Sequence, residues 1–298
     1  MKRLVYRIYR KINYFLRRIY VFSAPKRNAL NSTQRKTDVI VSLASYPARF
    51  RFIHITLKSI MLQSMKPDRI IVWLDDNVEQ SSLTPKMRIL EKYGIEYRYV
   101  KDLKSHKKYF YVMQEFPDSI IITIDDDVIY SKDVIKSLMD THERYPDAVC
   151  ARRVHKITKK TDGTIAAYND WLGEYCECDV PSHALVAVGV GGILYPPHCL
   201  YEKAFDEELI RKLCLKADDI WLKFMEVLNE TYVVWTSCKI PMPELIEKAQ
   251  ETSLNGENVG QNMNDVYFAN MQNYFHVQAK DFHIEDGNCV MEDDNIWR

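Results

Sequence analysis

The chain has 298 residues, of which 47% are hydrophobic and 28% are charged, and this composition excludes a disordered or fibrous protein. The formal net charge is zero, but residues 1–37 contain eleven Lys and Arg and no acid. The rest of the chain is therefore acidic, so the basic arm and the acidic body are interpreted separately.

Residues 1–22 have the pattern of a basic amphipathic helix. Apolar residues recur at steps of three and four, and most of the arginines fall on the other side. Helices of this kind lie in the interface of an anionic membrane. Charges interrupt every apolar run, so the segment is neither a signal peptide nor a membrane span. The apolar positions are Leu4, Ile8, Ile12, Phe15 and Ile19.

Packing on its own domain or on a partner subunit is the alternative for this helix. Its aromatic and aliphatic content is high for a purely electrostatic arm, so no nucleic-acid partner is predicted. Residues 23–37 are polar and aperiodic and are predicted to form a linker. The seven Cys are odd in number and scattered, which favours free thiols in a reducing compartment. We therefore predict a cytoplasmic protein, peripheral on the inner face of the cytoplasmic membrane.

From Asp38 onward, short apolar runs alternate with helical patterns. This alternation predicts an α/β fold in which a mostly parallel, Rossmann-type sheet is flanked by helices. Residues 38–298 are predicted to be a single domain. The predicted strands cover residues 39–44, 69–74, 95–100 and a run ending at Asp125, and the predicted helices cover 52–63, 106–115 and 131–144.

Polar loops follow three of these strands. They contain Ser45 to Arg49, then Asp75 and Asp76, then Asp125 to Asp127. In sheets of this class, ligands bind beyond the carboxyl ends of the strands. The sequence therefore predicts one binding site, built from all three loops.

The Asp triplet, within "TIDDDVIY" at residues 123–130, is the strongest chemical signal. Carboxylate oxygens are the ligands that Mg²⁺ and Mn²⁺ prefer, and such sites often stay open for substrate phosphates. If the strand geometry continues, Asp125 and Asp127 point to one side and Asp126 to the other. The alternative is a solvated acidic turn that caps the following helix.

Phosphates would need a metal and side-chain cations here, because the nine glycines form neither a GxGxxG motif nor a P-loop. Gly189, Gly191 and Gly192 form the only glycine cluster, which predicts a close backbone approach beside the site. A second acidic pair, Asp218 and Asp219, opens a predicted helix. This pair can cap the helix or supply a general base for a hydroxyl group. The candidate cations are Arg49, Lys107, Lys108, Arg152 and Arg153.

Five stretches taken together resemble a known family. "VSLASYPARF", "IITIDDDVIY", "YNDW", "GVGGILYPP" and "ADDIWLK" occur in this order between Asp38 and Asp265. In this order they resemble bacterial GT-A-fold glycosyltransferases of surface-polysaccharide clusters and, more distantly, exostosin-like catalytic domains. The triplet alone is a weak signal, but the ordered set is specific.

The resemblance implies a GT-A-like domain that transfers a sugar from a nucleotide-diphosphate donor, by default a UDP-sugar, to an acceptor hydroxyl. It implies a nucleotide-binding half at about 38–128 and an acceptor half at about 129–298. The acceptor would be a glycan or a lipid-linked glycan in surface-glycan synthesis.

The resemblance also implies a role for individual residues. Mn²⁺ or Mg²⁺ would be held by Asp125 and Asp127, with His276 or His283 as a further ligand. The acceptor base would be Asp218 or Asp219. The donor pocket would contain Ser45, Tyr46, Arg49, Asp75, Lys107, Asp125 and Asp126.

Two other function classes remain open. A sugar nucleotidyltransferase or hexose-phosphate transferase also uses Asp-bound metal, although "SYPARF" lacks the Gly-rich basic loop typical of nucleotidyltransferases. A non-catalytic, membrane-tethered member of the fold would bind neither nucleotide nor metal.

Overall fold

The computed structural model describes residues 2–25, 28–237, 242–246, 249 and 262–284, and the side chains of residues 2–10 are left out of the description. Its helices are α1 Lys2–Ser23, α2 Phe50–Met61, α3 Pro85–Glu91, α4 Lys107–Glu115, α5 Val134–Arg144, α6 Glu207–Leu213, α7 Asp218–Leu228 and α8 Met263–Phe275. Its strands are β1 Val39–Ala44, β2 Arg69–Asp75, β3 Ile95–Val100, β4 Ile120–Thr123, β5 Val128–Ile129, β6 Val149–Ala151, β7 Val154–Lys156, β8 Leu185–Ala187, β9 Ile193–Tyr195, β10 Val233–Trp235 and β11 Glu244–Leu245.

Seven strands form one sheet in the order β10-β6-β9-β4-β1-β2-β3. Strands β4, β1, β2 and β3 are parallel to one another, and β10 is parallel to β6. Only β9 runs antiparallel within this sheet, between β4 and β6. The prediction of an α/β fold with a mostly parallel sheet flanked by helices is confirmed.

Both faces of the sheet are buried, which explains why its strands read as continuous apolar runs. Because successive side chains of a strand point to opposite faces, Val41 packs on one face and Ile40 on the other. Leu57 of α2 covers the first face and Val112 of α4 covers the second. The helices therefore bury the sheet between them, and its polar loops are left at the strand ends.

Within the described residues, two small antiparallel strand pairs lie outside this sheet. Strand β7 pairs with β8, and β5 pairs with β11. Strand β5 directly follows the Asp triplet, so β11 supports the loop that carries these carboxylates. The backbone N–H of Ile246 also donates to Asp127 O at 2.8 Å.

The described part of residues 23–37, which the sequence predicts to be a linker, packs against the body of the protein. The Ala29 N–H donates to Tyr93 O at 3.0 Å, and the Ala29 side chain is buried. Arg35 forms an ion pair with Asp68 at 2.9 Å. Polar, aperiodic composition predicted the irregular backbone here but not its contacts.

Four described cysteines, including Cys150 and Cys214, are free thiols. Cys178 is disulfide-bonded, so the expectation of free thiols is wrong for this residue. Among the described helices, none combines the length and the apolar character that crossing a bilayer requires.

Candidate active site

A cavity of about 1210 Å³ lies at the carboxyl ends of β1, β2 and β4. It contains every residue that the sequence assigned to the donor, the metal and the acceptor base, apart from the two histidines. The predicted residues in its lining are Ser45, Tyr46, Arg49, Asp75, Lys107, Asp125, Asp126, Asp127, Asp218 and Asp219.

The Asp triplet lies where β4 has already ended. Ladder pairing stops at Thr123, and Asp126 and Asp127 form a turn before β5. The strand alternation expected for the triplet therefore does not hold. Asp126 and Asp127 both face α2 and its N-terminal loop, whereas Asp125 faces α4 and α7.

On the α2 side, Arg49 binds two of the carboxylates. Its guanidinium Nη1 donates to Asp127 Oδ2 at 2.7 Å and lies 3.9 Å from Asp126 Oδ1. The Ser45 hydroxyl donates to Asp126 Oδ2 at 2.5 Å. Arg49 Nε donates to the Tyr46 hydroxyl oxygen at 3.2 Å, which fixes the guanidinium plane. Arg49 is buried, so this polar cluster is part of the interior wall of the cavity.

The Asp126 carboxyl has an unusual protonation equilibrium. Burial, together with the negative charge of Asp127, raises its pKa to about 7, and the Ser45 hydrogen bond acts in the opposite direction. The Asp126 side chain therefore exchanges a proton near neutral pH. Asp126 is held by Ser45 and α2, so it fixes the position of the loop that carries Asp125 and Asp127.

Lys107 and Lys108 are adjacent in sequence, at the start of α4, but reach different parts of the cavity. The Lys107 ammonium contacts Asp75, at the end of β2, and lies 3.1 Å from Asp102 Oδ1. The Lys108 ammonium instead lies 3.2 Å from Asp125 Oδ1 and 2.9 Å from Asp218 Oδ2. One buried cation thus joins the Asp triplet to the acidic pair of α7.

The two carboxyls at the start of α7 differ in protonation. Burial favours a neutral Asp218, but the charge of Lys108 prevails and lowers the Asp218 pKa below its usual value. Asp219 is different, because burial and the charge of Asp218 raise its pKa to about 8. At neutral pH the pair therefore holds one carboxylate and one carboxylic acid.

One oxygen of Asp219 is unpaired within the described part of the chain. Its Oδ1 atom is buried and makes no hydrogen bond to a described residue, while the Gly189 backbone amide hydrogen-bonds to the same carboxyl group. Buried polar atoms are nearly always paired, so an unpaired one at a cavity wall marks a position where a ligand atom can bind. A pKa near the working pH is what a general base requires.

Gly189 keeps space open in front of these groups. A Cβ atom at this position would lie 2.8 Å from Lys108 Nζ and 3.1 Å from Asp125 Oδ1. Any side chain would therefore push the Lys108 ammonium or the Asp125 carboxylate away. The close backbone approach expected from the glycine cluster is present at Gly189.

The donor atoms here suit a hard divalent cation that also binds a ligand's phosphates. Asp125 and Asp127 supply carboxylate oxygens, and the absence of a side chain at Gly189 leaves room beside Asp125. Across residues 28–237 and the other described segments, no three His, Cys, Asp or Glu side chains form a metal cluster. Mg²⁺ sites commonly use one or two carboxylates and complete the shell with phosphates and water, so the residues fit a shared metal.

The structure does not bring His276 or His283 to this cavity within the described residues. His283 instead packs edge-to-face on His183, with 5.0 Å between the ring centroids. The cavity has one further wall, which contains Arg153, His155, Tyr168 and Trp171. The sequence named Arg153 as a candidate cation but assigned no role to the other three residues. Nothing in the spacing of the "YNDW" stretch indicated that Tyr168 lines the same cavity as the triplet.

Comparison with known proteins adds little. No family profile matches the sequence, and no curated protein matches it either. Among solved structures, the mannosyltransferase PcManGT from Pyrobaculum calidifontis, in complex with GDP-Man and Mn²⁺, is similar with a TM-score of 0.43 and 11% sequence identity. The match covers 80% of this chain and 65% of that one, so this chain spans less than two thirds of its length. A likeness at this level carries no inference about donor, metal or acceptor.

Proposed function

We propose that this protein is a glycosyltransferase that moves a sugar from a nucleotide-diphosphate donor to an acceptor hydroxyl. The observation that carries the proposal is the arrangement around Lys108. The Asp triplet and the Asp218–Asp219 pair belong to one cavity, one buried ammonium connects them, and one carboxyl of the pair, Asp219, has a raised pKa. Sugar transfer requires a site that binds the nucleotide-sugar donor and a general base that accepts the proton of the acceptor hydroxyl.

The donor binds at the end of the cavity formed by β1, β2 and the triplet. Tyr46 and the loop before α2 contact the nucleotide base, and Asp75 accepts from the ribose. The chain has no Gly-rich loop to bind phosphates, so side-chain cations must do so. Arg49 and Lys107 face the negative charge of the diphosphate. Arg49 and Lys107 are both buried, so their charges act at low dielectric.

A divalent cation, Mn²⁺ or Mg²⁺, belongs with the diphosphate, and Asp125 and Asp127 would hold it. It supplies Lewis-acid stabilisation of the negative charge that develops on the leaving phosphate. Lys108 adds a fixed positive charge beside Asp125, so the negative charge of this carboxylate is partly neutralised before any ligand binds.

Asp219 acts at the acceptor end. The acceptor oxygen forms a bond to the anomeric carbon, and the bond from that carbon to the phosphate oxygen breaks, with its electron pair leaving on the nucleoside diphosphate. The hydroxyl proton passes to the ionised form of Asp219, which is the minor form at neutral pH and the major form above the Asp219 pKa of about 8. Asp218 stays ionised and holds Lys108 in place.

We further propose a UDP-linked sugar as donor and a glycan or lipid-linked glycan of surface-polysaccharide synthesis as acceptor. In this proposal, residues 38–128 bind the nucleotide and residues 129–298 bind the acceptor. The motif order in the sequence supports this assignment, together with the position of the acidic pair on the second half of the chain.

The test is a thermal-shift panel of UDP, GDP, CMP and dTDP, each with Mn²⁺ and with EDTA. The panel compares wild type, Asp127→Ala and the surface control Asp118→Ala, whose exposed carboxylate pairs with His198. We expect one nucleotide to stabilise wild type and the control, and to do so only with Mn²⁺. Asp127→Ala should lose this stabilisation.

Donor hydrolysis by the same three proteins separates the function classes, with a sugar-linked form of the stabilising nucleotide as substrate. Slow release of the nucleoside diphosphate from its sugar supports the proposal. Release of a sugar phosphate or pyrophosphate would indicate the nucleotidyl or phosphate-transfer class. No stabilisation by any nucleotide would indicate the non-catalytic class and leave the triplet as an acidic turn.

A further inference from the structure

Helix α1 presents an apolar face to solvent. Ile12, Phe15, Leu16 and Ile19 are 51%, 64%, 56% and 48% exposed. These positions are spaced at i, i+3, i+4 and i+7, so they form one stripe along the helix. Phe22, 58% exposed, extends the stripe by one more turn. Large apolar side chains exposed as a contiguous patch mark a surface that binds a partner.

The opposite face of α1 fixes the helix to the protein. Val21 is buried in a cluster with Ile129 and Ile246. The Arg17 guanidinium is buried and donates to Ile129 O and to Met242 O, both at 3.1 Å. Arg18 adds an ion pair with Glu244 of β11. The helix is therefore docked through one face, and the apolar stripe is not the face that packs on the protein's own core.

The charge around the stripe identifies its partner. Residues 1–37 contain no acid. Among the described side chains, Lys11 and Arg18 directly precede Ile12 and Ile19 of the stripe. Lys11 is exposed, and the Arg18 side chain stays 47% exposed although it pairs with Glu244. A second copy of this helix would bring like charges together, whereas an anionic lipid surface offers the opposite charge and an apolar interior. Aromatic residues such as Phe15 suit the boundary between headgroups and acyl chains.

We propose that the Ile12–Phe22 stripe of α1 binds an anionic lipid bilayer, with the helix lying in the plane of the surface. The inference goes beyond the proposed function, because it assigns a second binding surface that does not depend on nucleotide or metal. It also differs from a flexible tether, because Arg17 and Val21 hold α1 against strand β5 and the chain beyond it.

A fixed helix has a consequence for the cavity. Strand β5, whose Ile129 carbonyl accepts from Arg17, begins one residue after Asp127, and Leu245 of its partner β11 lines the cavity. Binding through α1 therefore holds the cavity at a set position relative to the bilayer. A lipid-linked acceptor would reach the site from the same surface that binds the helix.

The test is cosedimentation of the full chain with vesicles of phosphatidylcholine alone and with phosphatidylglycerol added. Wild type is compared with Phe15→Asp and with the control Ile89→Asp, which places the same charge on an exposed apolar residue of α3. We expect wild type and the control to bind anionic vesicles, with affinity falling as salt is added. Phe15→Asp should reduce that affinity roughly tenfold or more.

Equal binding by wild type and Phe15→Asp would overturn the proposal, as would binding that does not depend on anionic lipid. Light scattering of the soluble proteins tests a second copy of the chain as the partner. A dimer that dissociates in Phe15→Asp, without a change in vesicle binding, would assign the stripe to self-association and refute the lipid surface. None of these results depends on nucleotide binding, so failure here and failure of the proposed activity are distinguishable.

Discussion

Lys108 Nζ lies 2.9 Å from Asp218 Oδ2, and this ion pair links the first turns of two helices that are far apart in sequence, α4 and α7. A cation near a helix N-terminus is unfavourable by itself, because the helix dipole is positive there. The carboxylates of Asp218 and Asp125 offset that cost. Lys108 thus holds the two acidic groups of the cavity in one arrangement.

Lys108→Met should destabilise the protein by about 3–5 kcal/mol at neutral pH, because removing one partner of a buried pair leaves carboxylates without their cation. Lys108 lowers the pKa of Asp218 in the folded wild type. The ionised Asp218 therefore stabilises the wild type at pH values above the Asp218 pKa of the unfolded chain, and this stabilisation is lost as the pH falls. In the variant the Asp218 pKa rises, and the deficit should therefore grow from pH 5 to pH 8. Urea denaturation at both pH values measures it.

Lys136→Met is the matched control, because Lys136 forms an exposed i,i+4 pair with Asp140. Exposed pairs of this kind contribute little to stability. A Lys108→Met deficit as small as that of the control, or one that does not change with pH, would contradict the role assigned to Lys108.

Gly189→Ala should lower turnover about tenfold or more while leaving the fold intact. Its Cβ would meet Lys108 Nζ at 2.8 Å and Asp125 Oδ1 at 3.1 Å, so one of these groups must move, and small displacements in an active site are costly. Gly173→Ala is the control, since a Cβ at this other cavity residue makes only an ordinary 3.9 Å contact with His155. Equal turnover of the two variants in a donor-hydrolysis assay would disprove the prediction.

Asp219→Asn should reduce turnover by about 10²–10⁴-fold without weakening nucleotide binding, because it removes only the proton acceptor. The wild-type kcat/KM should rise with pH through about 8, as the Asp219 carboxyl loses its proton, and the variant should lack this rise. Steady-state kinetics at pH values below and above the Asp219 pKa of about 8 measure both effects. If Asp218→Asn, and not Asp219→Asn, abolishes the rise, the base is Asp218.

Ser45→Ala should cost about 1–3 kcal/mol, because a buried carboxyl loses a hydrogen-bond donor. The folded-state pKa of Asp126, about 7, exceeds its unfolded value, so folded protein binds the proton more tightly and stability falls as pH rises through this range. Losing the Ser45 donor raises this pKa further. The loss of unfolding free energy, measured by urea titration, should therefore be larger at pH 8 than at pH 5. For the control Ser82→Ala, at an exposed position, the loss should be near zero.

The sequence predicted the sheet well where burial alone determines the pattern. Strands β1 and β3 have the predicted bounds, and β2 extends one residue further, to Asp75. The carboxyl ends of β1, β2 and β4 bring Ser45, Asp75 and Asp125 to one cavity, as the sequence predicts. The antiparallel insertion of β9 was not predicted, because a three-residue strand carries no signal of its direction.

The details of the site depend on contacts that no local pattern encodes. Alternation placed Asp125 and Asp127 together, but the chain turns after Thr123, and Arg49 binds Asp127 while Lys108 binds Asp125. Lys107 and Lys108 looked equivalent in sequence, yet helix geometry sends adjacent side chains in different directions. Helix α1 was predicted as amphipathic, but the docking of Arg17 on strand β5 could not be read from its periodicity.

The pairing of β5 with β11 has a consequence for how the protein is made. The loop with the Asp triplet is synthesised early, but its supporting strand, Glu244–Leu245, emerges much later. Long-range pairing forms slowly, since its loop-closure entropy must be overcome first. During synthesis the four parallel strands from β1 to β4 can assemble while the triplet is still unsupported. A nascent chain should therefore acquire its core before it acquires a ligand site, which delays binding until most of the polypeptide has left the ribosome.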